Sequence, residues 1–264
     1  MPYRLEVARA TDGALDRLVD LGALDLERLP GGGIAALMPD GVTPEHLRVA
    51  LGVDDLSIAP AIARDAGSVW VLSLRPTRIG RVRIVPADAD AEPGVLRLSD
   101  SAAFGTGLHP TTAMCIEAIE EALEPSPPDT LLDVGTGSGV LALAALLLGV
   151  PRAVGLDIDA DALRAAADNA RLNALDRRLH LALGGPDAVA GTWPLVVANV
   201  LAAPLIELAP VLVRRVGHHG RLVLSGIPSS VEPDVERTYR RLGMHRVRAQ
   251  SRAGWSALVL QASW

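Results

Sequence analysis

Short apolar runs alternate with amphipathic segments through residues 1–60. The runs YRLEVA, ALDLERL, IAALMP and DLSIAP have the length of short strands, whereas TDGALDRLVDLG and TPEHLRVALG have the spacing of amphipathic helices. A glycine-rich turn, PGGG, separates the second run from the third. The order β-α-β-β-α-β predicts a small ferredoxin-like α+β domain in residues 1–60.

The chain after residue 99 repeats a different pattern, in which apolar runs of strand length alternate with amphipathic segments of helix length. The predicted strands are TLLDVG, RAVGLD, RLHLAL, PLVVANV, GRLVLSG, HRVRAQ and WSALVLQ. Such alternation is typical of a doubly wound, mostly parallel sheet with helices on both faces. The last two runs have no helix between them, so we expect an antiparallel hairpin. Residues 99–264 are therefore predicted to form a seven-stranded Rossmann-like α/β domain.

Residues 61–98 lie between these two patterns and are predicted to be a linker. They hold four closely spaced arginines, Arg75, Arg78, Arg81 and Arg83. Their alternation with Val and Ile is typical of a solvent-exposed strand face, which is the interpretation we favour. The alternative is a site that binds a partner's carboxylates or phosphates, such as the phosphates of RNA. Nothing else in the sequence supports RNA contact.

Composition narrows the class of protein. The chain has 264 residues, of which 49% are hydrophobic and 21% charged, as expected for a folded globular protein. A net charge of −6 gives no overall attraction to nucleic acid or to an anionic membrane. The apolar run at residues 140–150 is about half of the roughly 20 residues that span a bilayer, so it predicts a buried helix.

Cellular setting follows from the cysteine count and the first residues. A single Cys115 allows no internal disulfide, and the His residues lack metal-ligand spacing, so we expect no metal site. The first residues carry charges throughout and show no apolar signal segment. These features predict a protein of the reducing cytoplasm, with no membrane association and an undetermined oligomeric state.

A glycine-rich turn follows the first strand of the second domain, in LLDVGTGSGVLALAA. It places Asp133 at the strand's carboxyl end and Gly135, Gly137 and Gly139 before a helix, the position at which open α/β sheets bind ligands. The dinucleotide pattern G-x-G-x-x-G is not met, because Val140 stands where its last glycine should be. The chain contains no Lys, which excludes a P-loop.

Asp157 ends the next predicted strand, about 20 residues after the first glycine, a spacing suited to a carboxylate that accepts both hydroxyls of a ribose. A ribose-containing ligand without phosphate points to S-adenosylmethionine. Separately, the glycines could form a packing turn and Asp157 a surface acid. Their occurrence in consecutive β-α units favours the cofactor interpretation.

Asn199 ends the fourth predicted strand, in VVANVLAAP. Its carboxamide oxygen could accept a hydrogen bond from an acceptor amine and orient the nitrogen lone pair. The alternative is an N-cap of the following helix, and both roles are compatible. Methyl transfer from a sulfonium needs mainly alignment, and the sequence shows no dedicated Ser, Cys or His catalyst.

Five stretches together carry a resemblance to a known family: AFGTGLHPTT, LLDVGTGSGVLALAALLLG, GLDIDADALRAAADNARLN, VVANVLAAPLIELAP and LSGI. They resemble the PrmA family, S-adenosylmethionine-dependent methyltransferases of a large-subunit ribosomal protein, the eleventh in standard naming. The most specific stretch is the first. The resemblance covers residues 75–227 well, weakens in residues 1–60 and after Ile227, and returns around Trp255.

The resemblance implies methylation of Lys side chains or the N-terminal amine of that ribosomal protein, recognised by a ferredoxin-like first domain. It implies that Asn199 lies near the methyl group and the incoming amine, and that His109 contacts the ligand or makes a structural hydrogen bond. The implied cofactor-binding residues are Phe104, Gly105, Thr106, Thr112, Asp133, Gly135, Thr136, Gly137, Asp157, Ile158 and Asn199.

Three other functions compete with this one. The same enzyme class could act on a different protein or a small-molecule amine, since the departures from the family fall in the substrate-recognition part. A binding module without chemistry is disfavoured by Asn199, Asp157 and the AFGTG stretch. A nicotinamide dehydrogenase is disfavoured by Val140.

Overall fold

The computed structural model of the protein describes residues 3–9, 13–23, 25–29, 32–39, 41–60, 76–90, 92–99, 109–252 and 254–264. The chain divides into two compact units, Met1–Ser73 and Leu74–Trp264. Among the described residues, no helix is long and apolar enough to cross a bilayer.

Unit 1 contains four strands and two helices in the predicted order. They are β1 (Tyr3–Val7), α1 (Ala14–Asp20), β2 (Asp25–Arg28), β3 (Ile34–Met38), α2 (Pro44–Leu51) and β4 (Ser57–Pro60). The strands form one antiparallel sheet in the order β2-β3-β1-β4. This is the ferredoxin-like arrangement, so the fold predicted for residues 1–60 is confirmed.

Local sequence explains the second helix of unit 1. Thr43 is its N-cap and accepts a hydrogen bond from the backbone N–H of His46, while Pro44 occupies the first helical turn. Gly52 ends the helix in the left-handed conformation. Leu47 and Leu51, one turn apart, face the unit's own hydrophobic core.

Unit 2 begins with a small sheet. It consists of β5 (Thr77–Ile79), β6 (Val82–Pro86) and β7 (Val95–Leu98), paired in that order. Five apolar side chains of these strands lie in the main core of unit 2: Ile79, Val82, Ile84, Leu96 and Leu98. This corrects the prediction of a linker over residues 61–98: its second half is folded because one face of each strand is buried.

Two of the clustered arginines in that segment bind carboxylates. Arg81 Nε lies 2.5 Å from Glu120 Oε1, and Arg83 Nη1 lies 3.1 Å from Glu92 Oε2. Arg78 is exposed, and Arg75 lies outside the described residues. The favoured interpretation, an exposed strand face, agrees with this arrangement for Arg78, Arg81 and Arg83.

The rest of unit 2 is a seven-stranded sheet with helices between its strands. Its elements are α3 (Pro110–Ala122), β8 (Thr130–Val134), α4 (Val140–Leu147), β9 (Arg152–Asp157), α5 (Ala160–Leu172), β10 (Leu179–Leu183), β11 (Trp193–Asn199), α6 (Ala202–Arg215), β12 (Val216–Pro228), α7 (Glu232–Arg241), β13 (Met244–Arg252) and β14 (Trp255–Ala262).

The sheet order is β10-β9-β8-β11-β12-β14-β13. The first five strands are parallel, and β14 is antiparallel to both of its neighbours, which confirms the predicted seven-stranded sheet and its final hairpin. Chain order reverses between β8 and β11, so the switch point, where such sheets bind ligands, lies between those two strands.

Helices cover both faces of this sheet. Two neighbouring residues of β8 illustrate this. Leu131 belongs to the core that contains α3 and α4, whereas Leu132 belongs to the core that contains α6 and α7. Strands buried on both faces need continuous apolar runs, which the sequence supplies. Helix α4, VLALAALL, is buried almost all round, as its composition predicts.

Candidate active site

The turn between β8 and α4 is tied to the next strand. The backbone N–H groups of Gly135 and Thr136 both donate to the carbonyl of Leu156 at 2.8 Å. Gly135 has a φ of 74°, and a Cβ there would lie 2.5 Å from Val200 Cγ1. Only glycine combines this backbone conformation with so close an approach, so the turn lies directly against the residue that follows Asn199.

Asp133 is fully buried at the end of β8. Its Oδ2 accepts hydrogen bonds from the Thr136 hydroxyl at 2.8 Å and from the Ala142 N–H at 3.2 Å. Within the described residues, Oδ1 has no hydrogen-bond partner. Burial raises the pKa of Asp133 to about 6; the two hydrogen bonds oppose this shift, and the charge of Asp157 adds to it.

Asp157 ends β9, and two backbone N–H groups fix its carboxylate. Oδ2 accepts from Gly137 N–H at 2.8 Å, and Oδ1 accepts from Asp159 N–H at 3.0 Å. Each oxygen keeps a further lone pair, so the carboxylate can still accept two hydroxyl groups. The next residue, Ile158, is 84% exposed, a large apolar side chain left in solvent beside the carboxylate.

Asn199 ends β11, opposite Ser225 of β12. In the part of the chain that the structure describes, its Oδ1 is buried and accepts no hydrogen bond. Leu201 is the N-cap of α6, and no side chain caps that helix. The alternative role of Asn199 as an N-cap is therefore wrong, because the helix begins too late for its side chain.

The polar residues at the start of α3, including its N-cap, are also buried. His109 is buried and is the N-cap of α3; its Nδ1 accepts from the Thr111 N–H and lies 2.8 Å from Thr111 Oγ1. This agrees with the structural alternative for His109. Thr112, one residue further, is fully buried, and its Oγ1 has no partner among the described residues.

Trp255 packs against His109, with ring centroids 5.1 Å apart and an edge-to-face angle of 72°. It begins β14, next to Pro228 at the carboxyl end of β12. Its indole N–H is buried, again without a partner in the described ranges. We assigned no role to Trp255 from the sequence, where the AGWSALVLQ stretch was its only signal.

Cys115 is fully buried on α3 and unsuited to nucleophilic chemistry. Burial raises the pKa of its thiol far above the ordinary value, the charge of Asp133 adds to that shift, and a hydrogen bond with Ser225 opposes it. A thiol held in its neutral form is a poor nucleophile. This agrees with the sequence inference that no Cys-driven mechanism operates.

The carboxyl ends of β8, β9 and β11 thus bring Asp133, Asp157 and Asn199 to one edge of the sheet, beside the glycine turn. Thr112 and Trp255 contribute two further buried polar atoms of unit 2. Phe104, Gly105 and Thr106, which were predicted to bind the cofactor, lie outside the described residues. The strand order and this arrangement define a Rossmann-like methyltransferase.

Comparisons with known proteins identify the family. The model of the ribosomal protein L11 methyltransferase (PrmA) family matches residues 57–263. The chain belongs to this family.

Individual relatives agree with that assignment. The ribosomal protein L11 methyltransferase of Azotobacter vinelandii is 39% identical, over 90% of this chain and 92% of its own length. That of Chromohalobacter salexigens is 43% identical, over 75% of this chain and 67% of its own length. The crystal structure of ribosomal protein L11 methylase from Lactobacillus delbrueckii subsp. bulgaricus matches with a TM-score of 0.65 and 31% identity, covering 70% of this chain and 96% of that one.

Proposed function

We propose that this protein transfers methyl groups from S-adenosylmethionine to amino groups of ribosomal protein L11, on Lys side chains or on the N-terminal amine. The observation that carries the proposal is the buried carboxamide oxygen of Asn199, which has no partner in the described residues and lies at the switch point beside the glycine turn. Family membership and the names of the relatives support the choice of acceptor.

The residues present fit S-adenosylmethionine. Asp157 offers two fixed oxygens to the ribose hydroxyls. Asp133 Oδ1 and Thr112 Oγ1 are buried polar atoms without partners in the described chain, suited to the ammonium and carboxylate of the methionine part. Ile158 offers an apolar surface to the base. We propose further contacts from Gly135, Thr136 and Gly137, and from Phe104, Gly105 and Thr106.

When bound, this cofactor supplies a methyl group already activated by its sulfonium. The protein's main contribution is therefore alignment. The Asn199 oxygen accepts a hydrogen bond from the acceptor amine, which holds the nitrogen and leaves its lone pair directed into the site. Val200, which follows Asn199, is confined between Gly135 and Gly226, so the strand end has little freedom to shift.

An amine must lose its proton before it can accept a methyl group. A Lys side chain has an ordinary pKa near 10.4, and transfer into an apolar, partly desolvated entrance lowers that value. Trp255 and Leu201 provide apolar surface near the end of the sheet, and Leu201 is 64% exposed. We infer that desolvation at this entrance, rather than a dedicated base, supplies the neutral amine.

Recognition of the ribosomal protein is assigned to the ferredoxin-like domain at residues 1–60. Two observations support a separate role: this domain has its own hydrophobic core, and the family match begins only at residue 57. The proposed location is the cytoplasm, since the proposed acceptor is a ribosomal protein.

The replacement Asn199→Ala tests the proposed site. Methyl transfer to L11, followed with radiolabelled S-adenosylmethionine, is expected to fall about 100-fold, because alignment of the amine is lost. Affinity for S-adenosylhomocysteine, measured by calorimetry, should stay within about threefold, since the proposed ligand contacts of the other residues remain.

Ser225→Ala is the matched control. Ser225 lies opposite Asn199 on the neighbouring strand and donates to the Ser256 carbonyl at 3.0 Å, so its loss perturbs the same sheet edge without removing the proposed amine contact. It should retain most of the transfer rate. Full activity of Asn199→Ala would contradict the role assigned to Asn199.

A further inference from the structure

Two asparagines, Asn169 on α5 and Asn173 at its C-cap, attach this helix to the backbone of β7 and of Ser99, the residue that follows it. Asn169 lies inside the helix, where asparagine is a poorer helix former than alanine, the commonest residue type of this helix. Both side chains use their carboxamide oxygen and nitrogen at once. Their partners, however, differ in a way that separates their functions.

Asn169 connects two parts of unit 2. It is fully buried, and its Oδ1 accepts from the Ser99 N–H at 2.8 Å and from the Ser99 hydroxyl at 2.9 Å. Its Nδ2 donates to the carbonyl of Ser138 at 2.9 Å. Ser138 lies in the glycine turn between Gly137 and Gly139, so one side chain joins the end of β7 to that turn.

Asn173 joins the C-terminal end of α5 to β7. Its Oδ1 accepts from the Arg97 N–H at 2.8 Å, and its Nδ2 donates to the Arg97 carbonyl at 2.7 Å, as a neighbouring strand would. Nδ2 also donates to the Asn169 carbonyl at 2.7 Å, within the same helix. The guanidinium of Arg97 donates to the Leu172 carbonyl. None of these four contacts reaches the glycine turn.

Asn169 is therefore placed to control the geometry of the turn. The residue before Ser138, Gly137, donates its N–H to Asp157, and a Cβ on the residue after it, Gly139, would lie 3.1 Å from Ala166 Cβ on α5. A shift of the Ser138 carbonyl would thus move the N–H that orients the Asp157 carboxylate.

We propose that Asn169 is a positioning residue for methyl transfer: it holds the glycine turn against the end of β7 and so sets the geometry in which Asp157 receives the cofactor. The proposal rests on the proposed function, because the ligand concerned is S-adenosylmethionine. Asn169 touches neither cofactor nor acceptor in this account. It acts through Ser138, Gly137 and Asp157.

Asn169→Ala and Asn173→Ala form the central comparison, made on the full chain. Removing Asn169 leaves the Ser138 carbonyl and the Ser99 N–H without this partner, and the dissociation constant for S-adenosylhomocysteine should rise about tenfold. Asn173→Ala removes a comparable set of hydrogen bonds between the C-terminal end of α5 and β7. It should lower the thermal midpoint while the dissociation constant stays within about twofold.

Hydrogen exchange in the ligand-free protein provides a readout independent of activity. The Gly139 N–H donates to the Thr136 carbonyl at 2.8 Å inside the turn. Its exchange should accelerate about tenfold in Asn169→Ala and stay unchanged in Asn173→Ala. If Asn169 only stabilised the fold, exchange of the Gly139 N–H would accelerate to a similar degree in Asn169→Ala and Asn173→Ala.

Asn169→Asp serves if Asn169→Ala does not fold. It keeps an oxygen for Ser99 but replaces the donor to the Ser138 carbonyl by a second oxygen, so it should also weaken S-adenosylhomocysteine binding about tenfold. Dissociation constants within twofold of the wild type in the folded Asn169 variants would overturn the proposal, as would equal weakening by Asn173→Ala. If wild-type protein bound no S-adenosylhomocysteine, the proposed function would fail, while the exchange comparison would still decide the positioning role.

Discussion

Unit 1 and unit 2 differ in whether they bury polar residues. Every buried polar or charged residue among those the structure describes belongs to unit 2, and several of them, including Thr112, Asp133, Thr136, Ser138 and Asn169, lie in or beside the candidate active site. The described core of unit 1 consists of apolar side chains around an antiparallel sheet. Burying polar groups is costly, so their concentration in one unit marks where chemistry takes place.

The family model begins near the boundary between the two units, although the alignment with the Azotobacter vinelandii relative covers 90% of this chain. The match covers residues 57–263, which leaves almost all of the ferredoxin-like domain outside it. Alignment of a methyl donor imposes strict requirements on side chains, whereas recognition of a protein surface allows many solutions. This contrast is consistent with the proposed roles, in which unit 2 performs transfer and unit 1 selects the acceptor.

Deletion of residues 1–60 should have the largest effect on this contrast. At acceptor concentrations below saturation, transfer to L11 is expected to fall about 100-fold, because remote binding energy is lost. Affinity for S-adenosylhomocysteine should change less than about twofold, since unit 2 has its own cores. Rate and calorimetric measurements on the same preparation check this. Undiminished transfer to L11 would assign recognition to unit 2.

Asp157→Ala should weaken cofactor binding about 30-fold, through loss of the proposed hydrogen bonds to the ribose. Calorimetry with S-adenosylhomocysteine measures the effect. Asp159→Ala is a matched control two residues away: Asp159 caps α5 by accepting from the Asp161 N–H at 2.8 Å, so its loss should cost about 1 kcal/mol of stability and leave affinity nearly unchanged. Equal affinity losses in the two variants would contradict the assigned role of Asp157.

The raised pKa of Asp133 predicts a pH dependence of cofactor binding. Burial moves this pKa from its ordinary 3.8 to about 6, and the ionised form is the one that attracts an ammonium group. Affinity for S-adenosylhomocysteine should therefore fall about tenfold from pH 7 to pH 5. The dependence should disappear in Asp133→Asn. An affinity that is flat with pH in the wild type would exclude Asp133 as the ammonium partner.

The same pKa also predicts an effect on stability, with a definite sign. Between its unfolded and folded pKa values, Asp133 holds a proton in the folded protein that the unfolded chain has released. Its contribution to stability is therefore present below about pH 4 and lost as the pH rises through 6, a cost of about 3 kcal/mol at pH 7. Urea unfolding should show ligand-free Asp133→Asn to be more stable at pH 7, with the difference shrinking toward pH 4.

The smallest expected effect concerns β5 and β6, which lie in the segment predicted from the sequence to be a linker. Glu120 of α3 binds the Arg81 guanidinium at 2.5 Å and accepts from the Arg81 N–H at 3.1 Å, which attaches the turn between β5 and β6 to α3. Glu120→Ala should lower the free energy of unfolding by about 1 kcal/mol, since Arg81 is largely exposed. Cofactor affinity should not change. A larger loss of affinity would show that these strands belong functionally to the site.

Sequence patterns predicted the ferredoxin-like order and the seven-stranded sheet because both depend on the period of apolar residues, which is a local property. The same reasoning failed for β5, β6 and β7. Alternating Arg and Val or Ile residues indicated a strand face correctly. They did not indicate that Val82 and Ile84 would pack into the core of unit 2, since that contact is long-range.

The candidate site shows the same limit at the level of single residues. The glycine turn and Asp157 were predictable because strand ends and turn residues follow from local sequence. Whether Asn199 caps α6 depended on where that helix begins, a matter of one or two residues. Asn169 was missed because an asparagine on a helix looks the same in sequence whether it faces solvent or, as here, two backbone segments.

The most direct test of the central claim is the intact mass of ribosomal protein L11 after incubation with this protein and S-adenosylmethionine. We expect the mass to increase in methyl-sized steps, and this increase should require both residues 1–60 and Asn199. An unchanged mass, with S-adenosylhomocysteine binding confirmed in the same preparation, would contradict L11 as the acceptor and assign the site to another amine.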